Sequence, residues 1–349
     1  MNRIATGVMV VAAVLVAAGA LTVVRISQYG KQPAGKDETR RMLLIPPGQT
    51  LAATTRLLAE AKVIRHPSWF MIMVRVKGLD KKIQSGEYDF AATMSPIQII
   101  DRLVHGKVYL HRLTVPEGSD IRQVARLIAE AGIGDGEEFI RIATDAATAA
   151  SLRIQASGCE GYLFPDTYFF PRGLNPRKIV ETMVHRFWDV FIPEWQERAR
   201  TLNLSLHQIV TLASIIEKET GTESERPIVS SVFHNRLRRN MRLESDPTVI
   251  YGVPEFDGNL TKEHLKTVTA YNTYTIDGLP EGPITNPGKE ALKAALFPAD
   301  TPFFYFVSKR DRTHEFSTTY SDHQRAVYKY QIEGNDRKAT HDNKKAKTK

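Results

Sequence analysis

From Ile4 to Val24 the chain carries no charged residue and consists mainly of Val, Ala and Leu. At about 1.5 Å rise per residue, such a run is roughly 31 Å long as a helix, enough to cross a bilayer core. Everything after it must therefore fold beside a membrane, or lose the run by cleavage. Ala17-Ala18-Gly19-Ala20 supplies small residues suited to a signal-peptidase site. The apolar run continues past it through Leu21 and Val23-Val24, longer than the usual h-region of about 7 to 15 residues. We read residues 4–24 as an uncleaved anchor preceded by residues 1–3. Flanking charge leaves the orientation open. Arg3 stands on one flank and Arg25, Lys31, Lys36, Arg40 and Arg41 on the other, yet long domains cross membranes largely regardless of charge.

The 349 residues exceed one ordinary compact domain and suit two. A single cysteine excludes a disulfide framework and a cysteine-based zinc site. The net charge of +8 invites a nucleic-acid reading, but its location argues otherwise. Six cations against Asp37 and Glu38 lie before Met42, and six against Asp336 and Asp342 lie after Gly334. The body between holds 35 basic and 35 acidic residues. A nucleic-acid-binding fold would concentrate cations within itself, so nucleic acid is not an expected partner. Residues 335–349 have almost no apolar side chain to pack and read as a disordered basic tail.

Residues 25–41 are polar and read as a tether. Beyond them the chain echoes itself at an offset of 70. Ile45-Pro46-Pro47-Gly48-Gln49-Thr50 corresponds to Val115-Pro116-Glu117-Gly118-Ser119-Asp120, and Leu57–Ala61 to Leu127–Ala131. Each copy reads as a strand end, a Pro-Gly turn, a polar cap and an amphipathic helix. Ser95-Pro96 opens another helix through about His105, and Lys81 to Phe90 alternates as a strand. Residues 42–114 thus form a small βααβαβ module. Compact units of this order with Pro-Gly turns resemble the LysM class of glycan-binding modules; a packing domain that merely positions the next one fits equally. From Val115 to residue 334 helices dominate, over Ile121–Ala131, Gly136–Ala143, Pro176–Phe191 and Glu194–Leu202.

The most informative helix follows. Ser205 and Gln208 make a capping box, and the helix runs on to Thr220. At 100° per residue its apolar side chains fill one broad arc, with His207, Thr211, Ser214 and Lys218 opposite. Glu217 falls inside the apolar arc, among Leu206, Val210 and Ala213, while Glu219 lies at its other margin. Desolvation raises a carboxyl group's pKa, and a carboxylic acid still protonated near neutrality is what glycosidic cleavage asks of a general acid. The same spacing also fits a glutamate paired with an arginine of the next helix. Thr222-Glu223-Ser224-Glu225 is a second capping box, opening a helix that carries Asn235. Downstream loops are dense in Asn, Asp, Tyr, Gly and Pro, suited to lining a sugar cleft and equally to forming turns.

Glu160-Gly161-Tyr162-Leu163-Phe164-Pro165-Asp166-Thr167-Tyr168, Ala213-Ser214-Ile215-Ile216-Glu217-Lys218-Glu219-Thr220, Ser245-Asp246-Pro247-Thr248 with Tyr251, Tyr271-Asn272-Thr273-Tyr274, Asn286-Pro287-Gly288 and His314-Glu315-Phe316-Ser317 stand in one order. In these motifs the chain resembles the YceG-like family of endolytic murein transglycosylases, from the membrane segment to about Gln331. The resemblance implies an α+β protein with a transmembrane helix, a LysM-like module and a mainly helical catalytic domain. It also implies a single-pass inner-membrane protein with residues 1–3 on the cytoplasmic side and its body in the periplasm. The family's catalytic glutamate corresponds to Glu217. Asn235, Asp246, Asn272, Tyr274 and His314 are the expected substrate-binding positions. The chain departs from the family's usual pattern at Cys159, at Glu281 and at Asp311-Arg312, none of which touches the Glu217 motif.

The implied reaction is lytic cleavage of the MurNAc–GlcNAc β-1,4 bond in nascent strands, leaving 1,6-anhydroMurNAc ends. The partners implied are glycan strands and peptidoglycan synthases. No cofactor or metal is expected, since phosphate-binding glycine loops are absent and the histidines lie far apart. Two alternatives stay open: a hydrolase pairing Glu217 with Glu219 or Asp246, and a non-catalytic glycan-binding scaffold.

Overall fold

The computed structural model describes residues 3–332, with side chains from Gly7 onward. The expected tail at 335–349 lies outside the described residues. The chain is a mixed α+β protein comprising two compact units. One holds the residues up to His111 with Phe169–Gly173, and the other Arg112–Tyr168 with the residues from Leu174.

The first unit opens with α1 (Arg3–Lys31). Its stretch Gly7–Lys31 is long and apolar enough to cross a membrane, with a mean hydropathy of 2.6 over its most apolar 18-residue window. Val8 to Val24 expose their side chains along its length. The helix does not stop where the apolar run ends. Ile26, Tyr29 and Gly30 recur at i, i+3 and i+4, which places them on one face, and all three are buried. A β-carbon on Gly30 would meet Ile97 and Met73 at 3.0 and 3.1 Å. The expected tether is thereby shortened: its first seven residues are helix, held because that face carries apolar groups that the surrounding polar composition concealed. The unit then runs β1 (Arg41–Ile45), α2 (Leu51–Glu60), α3 (Pro67–Val76), β2 (Gly86–Phe90) and α4 (Pro96–Val104). Strands β1 and β2 pair antiparallel, Leu43 opposite Tyr88. Tyr88 stacks on Phe90 with centroids 5.5 Å apart, and Leu58, Phe70, Met73, Ile99 and Leu103 close the core around them.

Strand β3 (His111–Thr114) leads to α5 (Ile121–Glu130), α6 (Gly136–Ala143) and α7 (Ala146–Ser151). Then come β4 (Thr167–Phe170), α8 (Pro176–Val190), α9 (Pro193–Thr201) and α10 (Leu206–Glu219). The chain ends in α11 (Arg226–Arg238), α12 (Asp246–Gly252), α13 (Lys262–Lys266), α14 (Lys289–Leu296), the hairpin β5 (Tyr305–Ser308) and β6 (His314–Ser317), and α15 (Tyr320–Val327). The echo of 70 residues is an echo of backbone. Gly48 and Gly118 turn the chain at φ +75° and +76°, and Thr50 and Asp120 then cap α2 and α5 from their side chains.

Helix α10 is the centre of the second unit. It packs against α14, α11, α12 and α9, and every residue from Ile209 to Ile216 is buried. Thr211 and Ser214 of the polar face are therefore inside the protein, while Lys218 on the same face stays exposed. Thr211 and Ser214 are accommodated because their hydroxyls donate back to the carbonyls of His207 and Thr211, and Ser214 Oγ also accepts from the Ile284 N–H at 3.0 Å. The expected capping box at Thr222 does not form. A 3-10 turn spans Glu223–Glu225, Thr222 caps nothing, and Glu225 instead accepts from the backbone N–H of His314 and bonds its ring at 2.7 Å.

Gly161 brings the chain against α10 at φ +85°, where a β-carbon would lie 2.5 Å from Pro283 and 2.7 Å from Val210. Left-handed strain and steric overlap then add, so Gly161→Ala should cost about 2 kcal/mol or more. Equilibrium denaturation measures this.

Candidate active site

Glu217 is in the last turn of α10, its side chain only 6% exposed. The Gly288 N–H donates to Oε2 at 2.9 Å, and the Arg226 guanidinium approaches Oε1 at 3.3 Å. Burial pushes this carboxyl above the ordinary glutamate range, while the Gly288 amide and Arg226 pull it back. Both readings of the sequence thus meet in one residue, which is desolvated and also paired with an arginine of the next helix. Glu117, on the turn before α5, pushes in the same direction as burial. Its carboxylate is half exposed and lies 3.8 Å from the same Arg226. A β-carbon on Gly288 would fall 1.9 Å from Glu117 Oε1, so the bare glycine is what lets this carboxylate lie against the loop.

Asn286 holds these parts together. Its Nδ2 donates to the Ser119 carbonyl at 2.8 Å and to Glu160 Oε1 at 3.0 Å, and its Oδ1 accepts from the Leu163 N–H at 2.9 Å. Its backbone exchanges two further bonds with Gly118 and Ser119. Glu160 also accepts from the Ile121 N–H and the Tyr251 hydroxyl. Burial pushes its pKa up to about 8. On the far side of α10, Glu219 accepts from Ser245 Oγ at 2.6 Å, and desolvation pushes its pKa up to about 7.

The five expected substrate-binding residues occupy other positions. Asp246 and Tyr274 are together, the tyrosine hydroxyl donating to the carboxylate at 2.8 Å. Asn235 donates to the carbonyls of Thr301 and Phe303. Asn272 is fully buried, donating to the carbonyls of His264, Leu265 and Thr267. His314 is paired with Glu225. Among the described residues none of the five hydrogen-bonds Glu217. Sequence reasoning passed over Glu117, Arg226, Glu160 and Asn286 as site residues. The Pro-Glu-Gly turn and the Asn-Pro-Gly motif were visible, but nothing local says that they meet. A cavity of about 970 Å³ opens beside Glu217, lined by Gly118, Lys218, Tyr251, Phe256 and the exposed face of α5.

The family model of the YceG-like family matches residues 43–329. A protein of Bacillus subtilis (strain 168) named endolytic murein transglycosylase is 30% identical over 322 residues, 86% of this chain and 89% of the relative. A protein of the same name from Streptococcus pneumoniae serotype 2 is 25% identical over 315 residues, and the match spans 57% of its length. The crystal structure of a yceG-like protein from Listeria monocytogenes superposes with a TM-score of 0.57 at 30% identity, covering 82% of this chain and 98% of that one. The chain belongs to the YceG-like family.

Glu160 and Glu219 each hold a proton in the folded state at pH values where an unfolded glutamate, near 4.5, has lost it. Their contribution to stability is therefore complete below about pH 4.5 and is lost as pH rises through about 7 and 8. Unfolding free energy should fall across this window, by an amount on the order of a few kcal/mol. Urea titrations at several pH values should show the slope shrinking in Glu160→Gln and again in the double variant with Glu219→Gln.

Proposed function

We propose that this family member is a membrane-anchored lytic transglycosylase that cuts the MurNAc–GlcNAc β-1,4 bond inside nascent peptidoglycan strands and leaves 1,6-anhydroMurNAc ends, limiting strand elongation. The observation that carries the reading is the seat of Glu217: a desolvated carboxyl with one amide donor and one guanidinium on it. With its pKa raised by burial, Glu217 gives its proton to the leaving glycosidic oxygen. The carboxylate so formed is stabilised where it stands by the Gly288 N–H and Arg226. It then takes the proton of the MurNAc 6-hydroxyl as that oxygen closes on C1. The nucleophile belongs to the substrate, so one carboxyl suffices, where an ordinary glycosidase needs two. The names of the relatives support this reading. The first unit is LysM-like in its β–α–α–β order and serves to hold the glycan; α1 anchors the enzyme in the inner membrane with its body in the periplasm, near the synthases that extend the strands.

A second reading, hydrolysis, is favoured by one observation. Glu117 stands on the same arginine as Glu217 and is exposed enough to activate a water. The mass of the reducing end separates the two, since hydrolysis adds a water and the lytic route does not.

Glu217→Gln should lower release of anhydro-ended fragments from purified strands by about a thousandfold or more; release at the wild-type rate would refute the assignment. Arg226 holds the Glu217 pKa down. In Arg226→Met that pKa rises, so the alkaline limb of the rate profile should move to higher pH, as a pH series of initial rates would record.

A further inference from the structure

The cavity beside Glu217 has a wall that the proposed bond cleavage does not use. Arg122 and Arg126 project from α5 at i and i+4, which places them one above the other on the same face, and both are exposed. Lys218, next to Glu217 on α10, lines the same space. Among the described residues none of these three cations has an ion-pair partner. Elsewhere in the body Arg102, Arg141, Arg177, Arg186 and Arg242 pair with carboxylates. Two carboxylates share the cavity without answering the cations. Asp120 is engaged as the cap of α5, accepting from the Gln123 N–H at 2.7 Å, and Glu255 belongs to the Pro254 turn after α12.

The cavity lies next to the catalytic seat, since Lys218 follows Glu217 on α10 and lines it. Gly118 is part of its lining, and a β-carbon there would lie 3.6 Å from Glu217 Cγ. A glycan lying with its scissile bond at Glu217 is itself uncharged along its sugar backbone. Its anionic groups hang from the lactyl ether of MurNAc, either as the lactyl carboxylate or as the carboxylates of a peptide attached to it. A row of unpaired cations along one wall of the cleft matches that side of the polymer and nothing on the sugar rings.

We infer that Arg122, Arg126 and Lys218 form a carboxylate-binding wall that recognises the acidic substituents on the lactyl side of the strand, and so selects which repeats are presented to Glu217. This rests on the glycan-cleaving reading. Arginine suits the task because its planar fork takes a carboxylate bidentately and keeps its charge at any physiological pH.

Binding separates the two claims. The probe is peptide-bearing glycan strands, offered untreated, with all carboxylates converted to amides, or stripped of peptide so that only lactyl carboxylates remain. Affinity is measured on Glu217→Gln, which does not turn the strands over. Untreated strands should bind about tenfold more tightly than amidated ones, with a steep salt dependence. Adding Arg122→Gln and Arg126→Gln should erase that preference and leave the affinity for amidated strands unchanged. These two arginines are exposed, so the variants should fold, which circular dichroism and thermal melting would establish. Tight binding of the stripped strands would make the lactyl carboxylate the recognised group, and weak binding the peptide carboxylates; either outcome supports the wall. Equal affinity for untreated and amidated strands, or a preference that survives the arginine substitutions, overturns it. Failure of the wild-type protein to cleave strands that it binds with this preference would instead overturn the enzymatic reading alone.

Discussion

The site depends on the hydrogen bonds of one buried asparagine. Asn286 uses both ends of its side chain and its own backbone to join the turn at Gly118-Ser119, the segment at Glu160 and Leu163, and the loop that continues to Gly288. These segments are remote in sequence. With Asn286 fully buried, each bond is made away from competing water and each lost partner would leave a desolvated polar group behind. The Gly288 amide reaches Glu217 because its loop has been placed by this asparagine two residues earlier.

Electrostatics in the second unit turns on three buried or half-buried glutamates, treated differently. Glu160 accepts from three donors and among the described residues has no ion-pair partner, so desolvation prevails and its pKa is pushed up to about 8. Glu219 has one hydroxyl donor and a nearby like charge in Asp246, with a smaller shift. Glu217 alone has an amide and a guanidinium on its two oxygens. That balance leaves it raised yet able to carry charge, a condition for a group that must give up a proton and take one back. Glu160 also lines a smaller cavity of about 340 Å³, whereas Glu217 lies next to two residues, Gly118 and Lys218, that line the larger one.

Much of the local structure was legible. The capping boxes at Ser95, Asp120 and Ser205 and the proline openings of α4 and α8 mark helices where they occur, because caps act within one turn of the chain. Two readings failed for one reason. Thr222 was expected to cap and does not, since Glu225 is drawn away to His314, 89 residues distant. Thr211 and Ser214 lie opposite the apolar arc and are nevertheless buried, because other helices pack around this stretch of α10. Residues 25–31 were read as tether from their polarity, whereas three of them face an apolar core as helix.

The sequence by itself determined the apolar helix, the order of elements over residues 42–114, the neutral body and the placing of Glu217 among apolar side chains, for these follow from composition and from periods of two and 3.6. The tertiary structure decided what surrounds that glutamate. Arg226, Gly288 and Glu117 come from three separate stretches of chain, brought to one carboxyl by the bonds of Asn286 and the packing of α10. Whether Glu217 would be buried, paired or both was therefore a question of long-range contact, which no local pattern encodes.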